Sequence, residues 1–315
     1  MIDTVKLFIP RHSDPTALSH LTRIAGLVDG ETGEVWKQWG PLKNLRVSLQ
    51  TNGQWAGLTI TGSLSRFLSG TNFTTLSPSS TREALDEMSA LLHVRLDDAR
   101  VYRLDYGLNL DLNIPAPAVT QSLGPAPPRW RKVTQDIGSV AYASKEVEIA
   151  LYDKVREAKE KDAYVPNGSL HVLRAEIRLR KGVKKRTGPI SAGDLAATAL
   201  HRRMLRDWEQ RMDSVRFTRR PEFQFGNTLG ETIRALAAVG SASLTAERLL
   251  NQLYDERRRG LWDSSSRRRQ ATSIARYVRD LSQDPNLSVP SLVEESFRRA
   301  VRYGVERQRE VLNQV

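Results

Sequence analysis

Three stretches of the chain alternate apolar and polar residues with a period of two, the spacing of a strand whose faces meet different surroundings. In VYRLDYGLNLDL, Tyr102, Leu104, Tyr106, Leu108, Leu110 and Leu112 alternate with Arg103, Asp105, Gly107, Asn109 and Asp111. In VEIALYDK, Val147, Ile149 and Leu151 point one way and Glu148, Ala150, Tyr152 and Lys154 the other. In HVLRAEIRLR, Leu173, Ala175, Ile177 and Leu179 oppose Arg174, Glu176, Arg178 and Arg180. Acids, cations and a phenol therefore gather on polar strand faces.

The flanking pattern supplies further elements. DTVKLFI and NLRVSLQTNGQWAGLTITG read as strands, with a hairpin turn at Thr51-Asn52-Gly53-Gln54. SLSRFLSG reads as a short helix. Ser80 and Glu83 form a capping-box pattern that opens a helix through Leu92, with Leu85, Met88, Leu91 and Leu92 as its buried stripe. Residues 113 to 131 carry five prolines, which predicts an irregular segment crossing the sheet, and two strands follow around Val140 and Ile149. After Gly188 the periodicity becomes helical: SAGDLAATALHRRMLRDWEQRM opens at Ser191, SLTAERLLNQLYDERRRGLW follows, and Ser291 with Glu294 caps a last helix. The expectation is an α+β chain, strand-rich over 1–188 and helical and Arg-rich over 189–315.

Charge narrows the partners. The 48 Lys and Arg outnumber the 36 Asp and Glu, giving +12 and a pI near 10.1, a balance suited to polyanions. Between Arg174 and Arg220 there are 14 basic and 5 acidic residues, including the run RLRKGVKKRTG. Such a run is either a solvated loop or a phosphate-binding segment, and its place after a charged strand favours the second. Arg103, Arg174, Arg178, Arg180, Lys181, Lys184, Lys185 and Arg186 are accordingly the candidate DNA contacts. The absence of cysteine excludes disulfides, thiolate metal sites and thiol nucleophiles. With no basic leader before a long apolar run, and no apolar stretch long enough to span a bilayer, a soluble cytoplasmic protein without a membrane partner is expected.

The polar faces hold what phosphodiester cleavage requires: neutralised phosphate charge, an activated nucleophile and a stabilised leaving oxygen. Hard cations such as Mg2+ or Mn2+ choose oxygen ligands, so Asp105 and Glu176 are the candidate metal ligands, with Asp111 a weaker third. The competing reading pairs Asp105 with Arg103, and Glu176 with Arg174 or Arg178, as ordinary ion pairs. Tyr152 is the candidate nucleophile. A free phenol, with a pKa of about 10, needs help at neutral pH, and Lys154, placed two residues on along the same strand, would supply it. Ordinary half-buried packing is the alternative for Tyr152, and Tyr142, of the same parity, is the alternative nucleophile. The five histidines are scattered, with no His-x-His pair, and there is no P-loop or Ser-His-Asp motif.

The segments MIDTVKLFIP, GSLSRFLSGTN, YRLD, IALYDKVRE and LRAEIRLR, in this order, resemble the filamentous-phage gene II type rolling-circle replication initiators of phages and plasmids. The resemblance covers most of the first 190 residues and continues weakly into RRQATSIARYVRDL and the last helix. It implies a palm-like antiparallel sheet related to nickases and relaxases, followed by a helical C-terminal region. It also implies an enzyme that nicks one origin strand, holds the 5′ end on a tyrosine, leaves a 3′ hydroxyl for host polymerase and later rejoins the displaced strand. Origin DNA, double- and single-stranded, and host helicase and polymerase are the implied partners in a bacterial cytoplasm. Residue by residue, the family's tyrosine falls on Tyr152, its lysine on Lys154, and its two acids on Asp105 and Glu176. The paired histidines of related nickases are missing here. A DNA-binding regulator or single-strand-binding protein without chemistry, and a mobilisation relaxase, are the other expectations.

Overall fold

A computed structural model describes residues 1–54, 56–126, 130–136, 138–166, 168, 171–180, 183, 187–217 and 292–314. The expected helix over SLTAERLLNQLYDERRRGLW, and the candidate contacts Lys181, Lys184, Lys185 and Arg186, lie outside them. The fold is α+β, and its centre is one antiparallel sheet of ten strands.

The strands are β1 (Ile2–Pro10), β2 (Ala25–Val28), β3 (Val35–Leu42), β4 (Leu45–Gln50), β5 (Gly57–Ser63), β6 (Arg100–Asp111), β7 (Arg131–Asp136), β8 (Ser139–Ala143), β9 (Val147–Asp153) and β10 (Val172–Leu179). Their order across the sheet is β2-β3-β4-β5-β1-β6-β10-β9-β8-β7. The three alternating stretches form β6, β9 and β10, which are direct neighbours. The expected turn joins β4 to β5, with Gly53 at φ 76° supplying the left-handed residue that a Cβ would resist.

The first helix, α1 (Leu64–Ser69), is capped by the Ser63 hydroxyl and ended by Gly70 in the left-handed region. The second, α2 (Pro78–Leu92), opens three residues earlier than the Ser80–Glu83 pattern predicts. Ser77 is its cap, bonded reciprocally with Ser80, because Pro78 fits the first helical turn, where no amide hydrogen is needed. Within the proline segment a helix, α3 (Ala116–Ser122), forms where irregular chain was expected, since Pro117 also sits in a first turn. A fourth helix, α4 (Lys154–Glu160), follows β9 directly. Ser191 closes a turn with Asp194 ahead of a 3-10 turn at Gly193–Ala196, so the main helix α5 (Thr198–Ser214) begins later than its sequence pattern. The last helix is α6 (Leu292–Asn313).

Two compact units divide the chain. One comprises Met1–Gln121, Ala126–Ser214 and Arg298–Val315; the other comprises Ser122–Pro125 and Val215–Phe297. Helix α5 and most of α6 thus share a unit with the sheet, although both follow the compositional change near residue 188. Inside that unit they cover the apolar face: Trp208 Nε1 donates to the Ala175 carbonyl at 2.9 Å, the Tyr106 hydroxyl donates to Asp207, and Gly304 lies over Leu108 and Leu110. Leu104, Leu151, Leu173 and Ile177 are fully buried, so water is excluded from this side.

Candidate active site

Cross-strand register decides which side chains share a face, because directly opposed residues point the same way. On β10, Arg174 faces Tyr152 of β9 and Asn109 of β6; Glu176 faces Ala150 and Gly107; Arg178 faces Glu148 and Asp105. The three polar faces read from the sequence are therefore one surface. Its middle row is Gly107, Glu176 and Ala150, in which one long acid stands between two small residues.

Asp105 is almost wholly buried and accepts from Arg103 Nε at 3.0 Å. Burial, reinforced by nearby Glu176, outweighs the Arg103 bond and lifts its carboxyl to about 6. Glu176 is buried too and accepts from Arg178 Nε at 3.0 Å and Nη2 at 2.9 Å. The same guanidinium donates to Glu148 at 2.7 Å, and Arg180 donates to Glu148 at 3.1 Å. Arg174 is buried and donates to Asp3 at 3.0 Å and to Asn109 at 3.3 Å. Its Nε has no hydrogen-bond partner among the described residues.

Tyr152 is half-buried at the edge of a cleft of about 230 Å³ lined also by Ser139, Ala141, Ala150, Arg156 and Arg178. Among the described residues its hydroxyl makes no hydrogen bond. Burial raises the phenol well above its ordinary value and Glu176 adds to this, while Arg174 opposes it. Resting Tyr152 is thus a protonated phenol beside a cleft. Becoming a nucleophile requires added positive charge or a proton acceptor.

Several predicted positions need correction. Lys154 is not on the strand, because Asp153 ends β9 by capping α4, its carboxylate accepting from the Arg156 amide. The amine nevertheless returns to the site. It is wholly buried, 5.9 Å from the Tyr152 ring centre, and donates to Asn72 and Glu157 at 2.6 Å each. Burial lowers its pKa, against the pull of Glu157. Tyr142 has the same parity as Tyr152 but the opposite face, since β8 pairs it with Ile149. It is 2% exposed, with burial pushing its phenol to about 12, and because it lies on that opposite face it is no second nucleophile for this cleft. Asp111 is exposed at the far end of β6. Six residues of extended strand, about 20 Å, separate it from Asp105, too far to share one ion.

The sequence reading also missed Asp3. It is 3% exposed, accepts from Arg174 and from the Ser63 hydroxyl, and joins Asp105, Glu176 and Glu148 as a further acid on this surface, from β1. A bulge in the β1–β6 pairing between Ile2 and Val5 hides its face from parity counting. Its one sequence signal is an acid among the apolar residues of a strand.

No group of three or more His, Asp or Glu among the described residues is placed to hold a metal ion. Asp105 and Glu176 still fit one as a pair. Asp105, desolvated and raised further by the neighbouring charge of Glu176, gains from a divalent cation between the two acids, and Mg2+ commonly takes only one or two carboxylates beside water and phosphate oxygens.

Comparison with known proteins assigns no relative: no family model matches the chain, and no curated protein matches it. No helix of the described residues is long and apolar enough to cross a membrane.

Proposed function

We propose that this chain is a DNA nickase and joinase of the rolling-circle initiator type, with its sheet in the role of a nickase palm. The observation that carries the reading is the Tyr152 hydroxyl, unbonded among the described residues at the rim of a cleft walled by Arg178 and backed by Glu176. In the reaction, Tyr152 Oη forms a bond to phosphorus and the bond to the 3′ oxygen breaks. The phenolic proton leaves to water and the departing 3′ oxygen takes one up, so the product is a 5′-phosphotyrosine and a 3′ hydroxyl, and rejoining reverses these changes. Arg178 meets the non-bridging phosphate oxygens, and Arg174, across the ladder from Tyr152, supplies the charge that stabilises the phenolate. Lys154 adds positive charge beneath the ring while held by Asn72 and Glu157. A divalent ion held by Asp105 and Glu176 would supply Lewis-acid stabilisation of the phosphate charge.

One observation favours a second reading. Asp105, Glu176 and Glu148 all have arginine partners, the pattern of a closed ion-pair network in a protein that binds DNA without cutting it. Supercoiled DNA bearing the cognate origin, incubated with Mg2+ or Mn2+, separates the two. The nickase yields open circles with protein attached to the 5′ end. Binding without cleavage in either ion selects the regulator.

A further inference from the structure

Two of the histidines that are scattered in the sequence meet in the fold. His20 and His93, 73 residues apart, bring their Nε2 atoms to 3.2 Å of one another, with ring centres 5.2 Å apart and planes tilted by 42°. We propose that this pair binds a divalent transition-metal ion of the zinc class, at a site separate from the Tyr152 cleft and independent of the function proposed for it.

Geometry is the first support. Two nitrogens at about 2.0–2.1 Å from a tetrahedral zinc ion stand roughly 3.4 Å apart, close to the separation found here. Preorganisation is the second. His20 follows a 3-10 turn at Pro15–Leu18 that is capped by the Asp14 carboxylate and anchored through buried Ala17 and Leu18. His93 is the C-cap of α2, with its amide bonded back to Ser89 and Ala90, and follows the buried Leu92. Neither ring needs a large rearrangement to present its nitrogen.

The backbone at His93 is the third support. Its φ of 52° is left-handed, at a cap where glycine is the residue without steric cost. A side chain is kept there, and it faces a second imidazole. Both rings are exposed, so water or an anion completes the shell; no third His, Asp or Glu among the described residues does. Imidazole selects zinc, nickel or copper over Mg2+, which keeps this site chemically distinct from the carboxylate pair.

The test is zinc titration of the untagged full chain by calorimetry, with thermal unfolding and 15N spectra of the imidazoles alongside. A single site with affinity on the order of micromolar is expected, together with a zinc-dependent rise in Tm and shifted Nε2 resonances of His20 and His93. Loss of an outer-shell partner alone weakens metal sites by about 10–100-fold, so removing a ligand should cost at least about tenfold. His20→Gln and His93→Asn are the variants, because asparagine tolerates the left-handed backbone and keeps the cap intact. The Tyr152→Phe variant should bind zinc like the parent. A parent that binds no zinc, or a His20→Gln/His93→Asn double variant that binds it equally well, overturns the proposal.

Discussion

Arg174 stands directly across the β9–β10 ladder from Tyr152, and its guanidinium is held from the far side by Asp3 at 3.0 Å. A buried cation is thereby fixed beside a half-buried phenol by an acid that belongs to the first strand. The arrangement disfavours a mobile arginine and favours one orientation of charge at the ring, which is what a stabilised phenolate needs. It also makes the site depend on pairing between strands distant in sequence.

Tyr152→Phe removes the oxygen proposed to join to phosphorus and little else, since that hydroxyl makes no hydrogen bond among the described residues. Nicking and covalent attachment should fall by at least about 10³-fold while DNA binding is retained. Tyr142→Phe should nick like the parent, because that ring lies on the opposite face. Mass spectrometry of the protein–nucleotide adduct checks both, and an adduct on Tyr142 would refute the assignment.

Asp105→Asn and Glu176→Gln should lower cleavage by about 10²–10³-fold with a much smaller change in origin binding. Gel-shift and nicking assays over a range of Mn2+ concentrations distinguish the two effects. Cleavage equal to the parent at every concentration would remove both acids from the metal-holding role.

Arg178→Met deletes a guanidinium shared by Glu176 and Glu148 and leaves the buried Glu176 without that partner. A loss of about 2–4 kcal/mol is expected from chemical denaturation, and adding Glu176→Gln should recover part of it. Full additivity of the two changes would mean that the pair is not coupled.

Gly107→Ala should destabilise the sheet by about 1–3 kcal/mol. A Cβ there would lie 2.3 Å from the Ala175 carbonyl oxygen, so β6 and β10 would have to separate. A denaturation midpoint unchanged from the parent would contradict this.

His201 gives the chain a built-in acid sensitivity. The ring is buried in α5 with Nε2 at 2.8 Å from the Leu195 carbonyl, and burial depresses its pKa from 6.5 to about 3. The unfolded state therefore takes up a proton that the folded state refuses. This contribution to stability is complete above about pH 6.5 and is lost as pH falls toward 3, at roughly 1.4 kcal/mol per pH unit. Unfolding titrations of His201→Gln should show a shallower acid limb than the parent.

The strands of the candidate site are legible because β6, β9 and β10 each bury one apolar face and keep acids and arginines together on the other. Alternation carries that signal directly. Which faces coincide was less legible. Parity holds only within a strand, and the β8–β9 turn inverts it, so equal parity puts Tyr142 and Tyr152 on opposite faces. Lys154 kept its neighbour but not its element, since the Asp153 cap is a local signal that competes with the strand pattern. Asp3 and the His20–His93 contact depend on strand order and helix placement, which no window of sequence contains.

The order of the sheet also constrains how the molecule can be made. Strand β10, the last of the ten to leave the ribosome, is inserted between β6 and β9 at the centre of the sheet. Until residues 172–179 are synthesised, both neighbours present bare hydrogen-bonding edges, a hazard for aggregation. Truncation before β10 should give insoluble product, and refolding should be slow, because closing the sheet requires partners more than a hundred and sixty residues apart, as in the Arg174–Asp3 pair.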